Sequence, residues 1–350
     1  MPYRILILGA SYGALLGTKL VAGGHDVTYV CRAQTAALIN EQGTEVRIAL
    51  RGEDTHRSFF SRDLTGTTRA CTPEDANPDD YDLVCLAMQE QQYSHASLRD
   101  LLARTAATKT PCMSIMNMPP LPYLKRIPGL DCAQLRSAFT EAEIWDAFDP
   151  GMMTLCSPDP QAFRPPDEPP NVLHVGLPTN FKVSKFHDAK LDAMLDTLAA
   201  DIDAYQIDGK DVPVKLRVHD SLFVPFAKWA MLATGNYRCI TVGGPRSIKD
   251  AVHGDLEMSR EIYEFVSSMV IHLGADAADT VPFEKYAAAA QHLLRPSSAA
   301  RAVYGGAKSI ERVDRLIKLT AASLGMSHPS LTEWVAIVDA KLATNALEPA

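Results

Sequence analysis

The sequence predicts an α/β chain of two domains, a doubly wound parallel sheet over residues 1–185 and an all-α domain over residues 186–350. Three observations predict this. The chain opens on an apolar run, a glycine turn and a helical stretch; short apolar runs then alternate with helical periodicity; beyond a proline-rich tract the periodicity is helical almost throughout. A length of 350 residues also exceeds what one core usually organises.

Residues 3–8 (YRILIL) read as a first strand ending at Gly9, residues 14–21 as a helix stopped by Gly23-Gly24, and residues 25–30 as a second strand. A strand, a helix and a strand in so short a span make a βαβ unit, so the two strands run parallel. Further strands are predicted at 45–50, 82–87 and 112–116, with helices at 34–42 and 94–106. From residue 150 to 178 the chain turns irregular, and the tract SPDPQAFRPPDEPP reads as a surface loop at the boundary. The second domain is predicted to hold helices at 190–205, 222–236, 255–274, 282–294 and 311–325.

Composition narrows the function classes. A net charge of −8 argues against a nucleic-acid binder, which would show an excess of Lys and Arg. No apolar run approaches the roughly 20 residues of a membrane helix, and residues 1–4 (MPYR) lead straight into a strand without the pattern of a signal peptide. A cytoplasmic protein is predicted. Seven cysteines, widely spread and without a CxxC pair, read as reduced thiols acting as small hydrophobes, and no metal site is expected.

The first strand-to-helix turn is Gly9-Ala10-Ser11-Tyr12-Gly13-Ala14. It stands where a Rossmann GxGxxG fingerprint lays its backbone against a pyrophosphate at a helix N-terminus. Two registers remain open: Ser11 and Ala14 take the second and third glycine positions, or the loop is one residue short and Gly13 is the third glycine. A ligand-free turn is the alternative to both. At the end of the second strand the usual ribose-binding carboxylate is replaced by Cys31-Arg32. An arginine there pairs with a 2′-phosphate and so points to NADP, with NAD still possible; otherwise Arg32 is an ordinary surface charge.

In the second half, PFAKWAML sets Lys228 in a strongly apolar stretch. Desolvation lowers the pKa of a buried lysine and makes it a usable general acid; the alternative is a lysine snorkelling to solvent. Asn236 lies eight residues on, offset by roughly 80° on a regular α-helix. Arg295-Pro296-Ser297-Ser298 reads as a helix start with serine at the cap, and Ser309-Ile310-Glu311 opens another helix after Gly305-Gly306. Ser298 and Glu311 are then cap and first-turn residues, or site residues.

These pieces, in this order over residues 3 to about 330, resemble the ketopantoate reductase family: ILGASYGALLGTKLVAGGHDVTYVCR, Asn117 in MSIMNMPPLPYL, AKWAMLATGN, and SSAARAVYGGAKSIERVD. The resemblance implies a two-domain reductase in which hydride passes from NADPH to a 2-keto acid in the interdomain cleft. It gives Lys228 the role of proton donor to the keto oxygen and Glu311 that of the active-site glutamate. Asn236 and Ser298 are implied to bind substrate, and Asn117 to contact both the nicotinamide ribose and the substrate. Gly9, Ser11, Tyr12, Gly13 and Arg32 are implied to hold the cofactor, and the helical domain to pair into a homodimer.

Several positions depart from the family. Leu232 replaces the first asparagine after the lysine, Ala87 or Met88 stands where a second phosphate-binding lysine is expected, Ser11 alters the glycine loop, and the tract at 157–170 looks inserted. The substrate therefore need not be ketopantoate. Two other functions stay open: an imine or opine reductase on the same plan, and a non-catalytic NADP-sensing regulator.

Overall fold

The apolar runs of the N-terminal half become interior strands, because helices cover both faces of a parallel sheet and leave no polar side. In the computed structural model, which describes residues 1–347, strand β1 (Arg4–Leu8) is buried from Ile5 onward and β4 (Leu83–Leu86) along its whole length. With β2 (Asp26–Val30), β3 (Thr68–Cys71), β5 (Cys112–Ser114), β6 (Met153–Ser157), β7 (Phe181–Ser184) and β8 (Leu216–His219) they form one sheet. Its order is β3-β2-β1-β4-β5-β6-β7-β8. The first six strands run parallel, and β7 runs antiparallel to β6 and parallel to β8.

The order 3-2-1-4-5-6 is that of the doubly wound dinucleotide-binding sheet, with β7 and β8 added at one edge. Helices α1 (Gly13–Ala22), α2 (Ala33–Gln42), α3 (Ala96–Thr108) and α4 (Ala189–Ala204) accompany it. All ten residues of α1 are buried, as expected of a helix that is apolar nearly all round.

Three expectations are corrected in this half. The strand expected at 45–50 forms as Glu45–Ala49 but joins a second, four-stranded sheet with His56–Phe60, Val172–Leu177 and Gln161–Phe163. Its alternation, with Val46 and Ile48 buried between half-exposed neighbours, suits a sheet covered on one face only. The tract read as a surface loop supplies Gln161–Phe163 to that sheet. The helix expected at 190–205 to open the second domain is α4, and it packs on α1 and β8. Its Met194, Leu195, Leu198 and Ile202 share one apolar cluster with Leu15, Leu20 and Leu216.

The chain accordingly divides after Leu222 rather than after residue 185. One unit comprises Met1–Met88, Gln92–Tyr123 and Glu143–Leu222; the other takes Gln89–Gln91, Leu124–Ala142 and the chain from Phe223 onward. The second unit is helical: α5 (Ala227–Met231), α6 (Ile248–His253), α7 (Leu256–His272), α8 (Phe283–Ala290), α9 (Ser298–Tyr304), α10 (Val313–Ser323) and α11 (Pro329–Leu347). Among the described residues no helix is long and apolar enough to cross a membrane.

The helix expected over 222–236 is broken. A 3-10 turn at Val224–Phe226 leads into α5, and a π turn, Leu232–Asn236, follows. The cause is Tyr286, whose hydroxyl donates to the Met231 carbonyl at 3.1 Å, the oxygen that would accept from the Gly235 N–H in a regular helix. A Cβ on Gly235 would stand 2.0 Å from that hydroxyl, so only glycine admits the intruding phenol.

Candidate active site

In the first unit, the glycine turn follows from how closely β1 and α1 approach β4. Gly9 has φ +108°, and a Cβ there would lie 2.6 Å from Met88 Cγ and 2.9 Å from the Ala87 carbonyl. A Cβ on Gly13, the first residue of α1, would lie 2.6 Å from Ile7 Cγ2 and 3.0 Å from Ala87 Cβ. Gly13 thus does the work of the third fingerprint glycine, close helix-to-sheet packing, which favours the shorter register of the turn.

Ser11 is exposed, and its carbonyl accepts from the Ala14 N–H at 3.1 Å. No side chain caps α1, and the Leu15 N–H likewise goes to a backbone carbonyl, that of Tyr12, at 3.1 Å. The Tyr12 side chain turns elsewhere: its hydroxyl donates to the Pro160 carbonyl at 2.7 Å and its ring meets Phe181 edge-on. Any part Tyr12 plays toward a nucleotide is therefore a backbone part.

Arg32 ends the chain's passage out of β2, exposed and in extended conformation just before α2. Asn117 lies three residues past β5, half-buried, with an Oδ1 that is shielded from solvent and has no hydrogen-bond partner among the described residues. A buried unpaired acceptor costs of order 1 to 3 kcal/mol unless a ligand supplies the donor. A tight turn with glycines at 9 and 13 entering a helix, an arginine where a ribose carboxylate usually stands and an orphaned amide oxygen all fit a dinucleotide.

In the second unit, Lys228 is half-buried on α5, between buried Phe226 and Trp229. An i→i+5 turn takes more residues per revolution than an α turn, so the π segment reduces the angular offset of Asn236 from Lys228 below that of a regular helix. The neighbour of Asn236, Tyr237, fastens this segment to the stretch that leads into α10: its hydroxyl donates to the Glu311 carbonyl and accepts from the Val313 N–H at 3.1 Å. Burial raises the Tyr237 phenol well above its usual range, so it stays protonated.

Two expectations shift here. Ser297, not Ser298, is the cap of α9: its Oγ accepts from the Ala300 N–H at 3.1 Å and donates to the Asn236 carbonyl at 2.6 Å, whereas Ser298 is exposed. Glu311 does not open a helix, since α10 begins at Val313; it lies buried two residues before it, and its Oε1 accepts from the Glu90 N–H at 3.2 Å.

The structure thus gathers Asn236, Ser297 and Glu311 around Tyr237, with Lys228 on the same helix as Asn236. Glu90 was not foreseen. It is buried, holds the Thr140 N–H at 3.0 Å, and burial pushes its carboxyl up. A lone acid in the otherwise uncharged run 89–92 was the sequence signal for it.

The cysteines are all free, and burial pushes the half-buried Cys31 thiol up to about 11, which leaves it a poor nucleophile at neutral pH. No metal-binding group of three or more His, Cys, Asp or Glu occurs among the described residues.

Neither a family sequence model nor a curated protein matches the chain. Solved structures do. A protein assigned as a ketopantoate reductase from Ralstonia solanacearum MolK2 matches with a TM-score of 0.70 and 15% identity, covering 99% of this chain and 100% of that one. The 2-dehydropantoate 2-reductase of Methylococcus capsulatus matches at 0.68 and 16%, over 99% and 98%. A D-mandelate dehydrogenase solved with NADH and anilino(oxo)acetate matches at 0.64 and 14%, over 98% and 100%. From end to end, this chain has the fold of the ketopantoate reductases.

Proposed function

We propose that this chain is an NADP-preferring oxidoreductase that reduces a 2-keto acid to the 2-hydroxy acid. The observation that carries the reading is the glycine turn between β1 and α1, at the point where the strand order 3-2-1-4-5-6 reverses, with Arg32 at the end of β2. Bound there, a reduced nicotinamide supplies the hydride.

The chain's own residues then handle orientation and the proton. Lys228, in an apolar stretch where water is scarce, donates a proton to the carbonyl oxygen as negative charge develops on it. Asn236 and Ser298 offer hydrogen-bond donors to the carboxylate and keto groups, and Glu311 holds the segment beside them. Leu232 removes one polar contact, which favours a 2-keto acid with an apolar substituent over a hydroxylated one.

The test is oxidation of NADPH by the purified protein against a panel of 2-keto acids of graded size and polarity, with and without added amine. Turnover with a 2-keto acid alone supports the proposal. Turnover only when amine is present moves the chain to imine reduction. Tight NADPH binding without turnover on any of them ends the enzymatic reading.

A further inference from the structure

The tract at 157–170 has a place in the fold that surface exposure alone does not explain. Its strand Gln161–Phe163 pairs antiparallel with Val172–Leu177, Ala162 opposite Val175 and Phe163 opposite His174. It is also fastened to the nucleotide end of the first unit. The Tyr12 hydroxyl holds the Pro160 carbonyl, and Ala162 packs against the same apolar cluster as Tyr12 and Cys31. Side chains alternate along a strand, so Arg164 leaves on the face of Ala162, toward Cys31, while Phe163 faces the other way onto His174.

Arg164 is half-buried, within electrostatic range of both Cys31 and Arg32. Two like charges therefore stand together, and neither guanidinium makes a hydrogen bond or ion pair with any described residue. Two of the tract's three carboxylates are committed elsewhere, Asp159 with Lys182 at 3.3 Å and Glu168 with Arg47 at 2.6 Å, and the third, Asp167, is exposed and pairs with neither arginine. Cys31 is no counter-ion, because its thiol holds its proton far above neutrality. Burial, and then Arg32, push the Arg164 guanidinium below its usual value, the sign expected of a cation awaiting an anion. The end of β4, Ala87-Met88, brings no charge.

We propose that Arg164 and Arg32 together clamp the 2′-phosphate of the dinucleotide, one cation from the end of β2 and the other carried in by the 157–170 hairpin. This rests on the NADP reading given under the proposed function. A phosphomonoester presents several strong acceptor oxygens, and two planar guanidinium forks approaching from different elements match it better than one.

Binding of NADPH, NADH, 2′,5′-ADP and 5′-ADP is measured by titration calorimetry on the wild type, Arg164→Ala and Arg32→Ala. Arg164→Ala is expected to weaken NADPH and 2′,5′-ADP by roughly tenfold or more, leaving NADH and 5′-ADP within about twofold. Equal losses on all four ligands, or no loss on any, overturn the role of Arg164. If in that case Arg32→Ala weakens NADPH and 2′,5′-ADP but not NADH and 5′-ADP, the NADP reading survives without Arg164. If the wild type binds NADPH no better than NADH, the NADP reading fails and Arg164 falls with it. Arg164→Gln, which keeps most of the side chain's packing, carries the same test should the alanine variant fold poorly.

Discussion

Ser297 Oγ donates to the carbonyl of Asn236 at 2.6 Å while it accepts from the Ala300 N–H, so one hydroxyl both caps α9 and ties it to the end of the π turn. The next serine in the chain does neither. Ser297→Ala is expected to lower stability by about 1 to 2 kcal/mol, through loss of the cap and the unpairing of a partly buried carbonyl. Ser298→Ala should stay within about 0.5 kcal/mol. Urea unfolding of the two variants checks this, and equal losses would count against the difference in their roles.

Lys228→Ala is expected to bind NADPH as tightly as the wild type and to lose roughly 10² to 10⁴ in kcat on the true substrate. The loss should appear in kcat/KM as well, because the proton is needed in the transition state. Lys228→Arg should not restore turnover, since guanidinium releases its proton too reluctantly. Near-normal turnover in the alanine variant would return Lys228 to the role of a snorkelling surface lysine.

Asp314 is 1% exposed and holds Arg312 through two hydrogen bonds, Nε to Oδ1 at 3.0 Å and Nη2 to Oδ2 at 2.9 Å. Asp339 is shared by Arg312 and Arg315, which binds the two helices α10 and α11 into one charged network. Removing one partner leaves a buried guanidinium half-compensated, so Asp314→Ala should cost about 3 to 5 kcal/mol of stability. A loss under 1 kcal/mol in thermal and urea unfolding would show that water reaches Arg312 and replaces the carboxylate.

Lys19 is 2% exposed inside α1, donates to the Val212 carbonyl at 3.2 Å, and burial together with nearby Lys215 pulls its ammonium down to about 7. The unfolded chain holds that proton up to about 10.5, so between these values the unfolded state binds more protons and stability rises with pH. Below pH 7 the penalty of charging a buried amine is fully present. Lys19→Met should therefore stabilise the protein near neutrality and flatten the rise of unfolding free energy between pH 7 and 10, by at most about 1.4 kcal/mol per pH unit. Unchanged slopes in the two proteins would place Lys19 in contact with water.

Local pattern made the N-terminal half legible. The βαβ opening, the glycine turn and Arg32 at the end of β2 are fixed by residues that are neighbours in sequence, because periodicity and turn chemistry act over a few residues. The same holds for Lys228 and Asn236, eight residues apart on one helical stretch. Tertiary structure decided the rest, by contacts between residues distant in sequence. Whether the strand at 45–49 joined the main sheet depended on which partner edge was open, and it paired with a strand from 172–177. The apolar face of α4 fits a sheet as well as a helix bundle, and only packing on α1 and β8 assigned it to the first unit. The π turn after Lys228 came from Tyr286, more than fifty residues on, whose hydroxyl took a carbonyl the helix would have used. Arg164 was hidden for the same reason: it lies in a proline-rich tract, and only the pairing of Ala162 with Val175 and the bond from Tyr12 to Pro160 carry it toward Arg32.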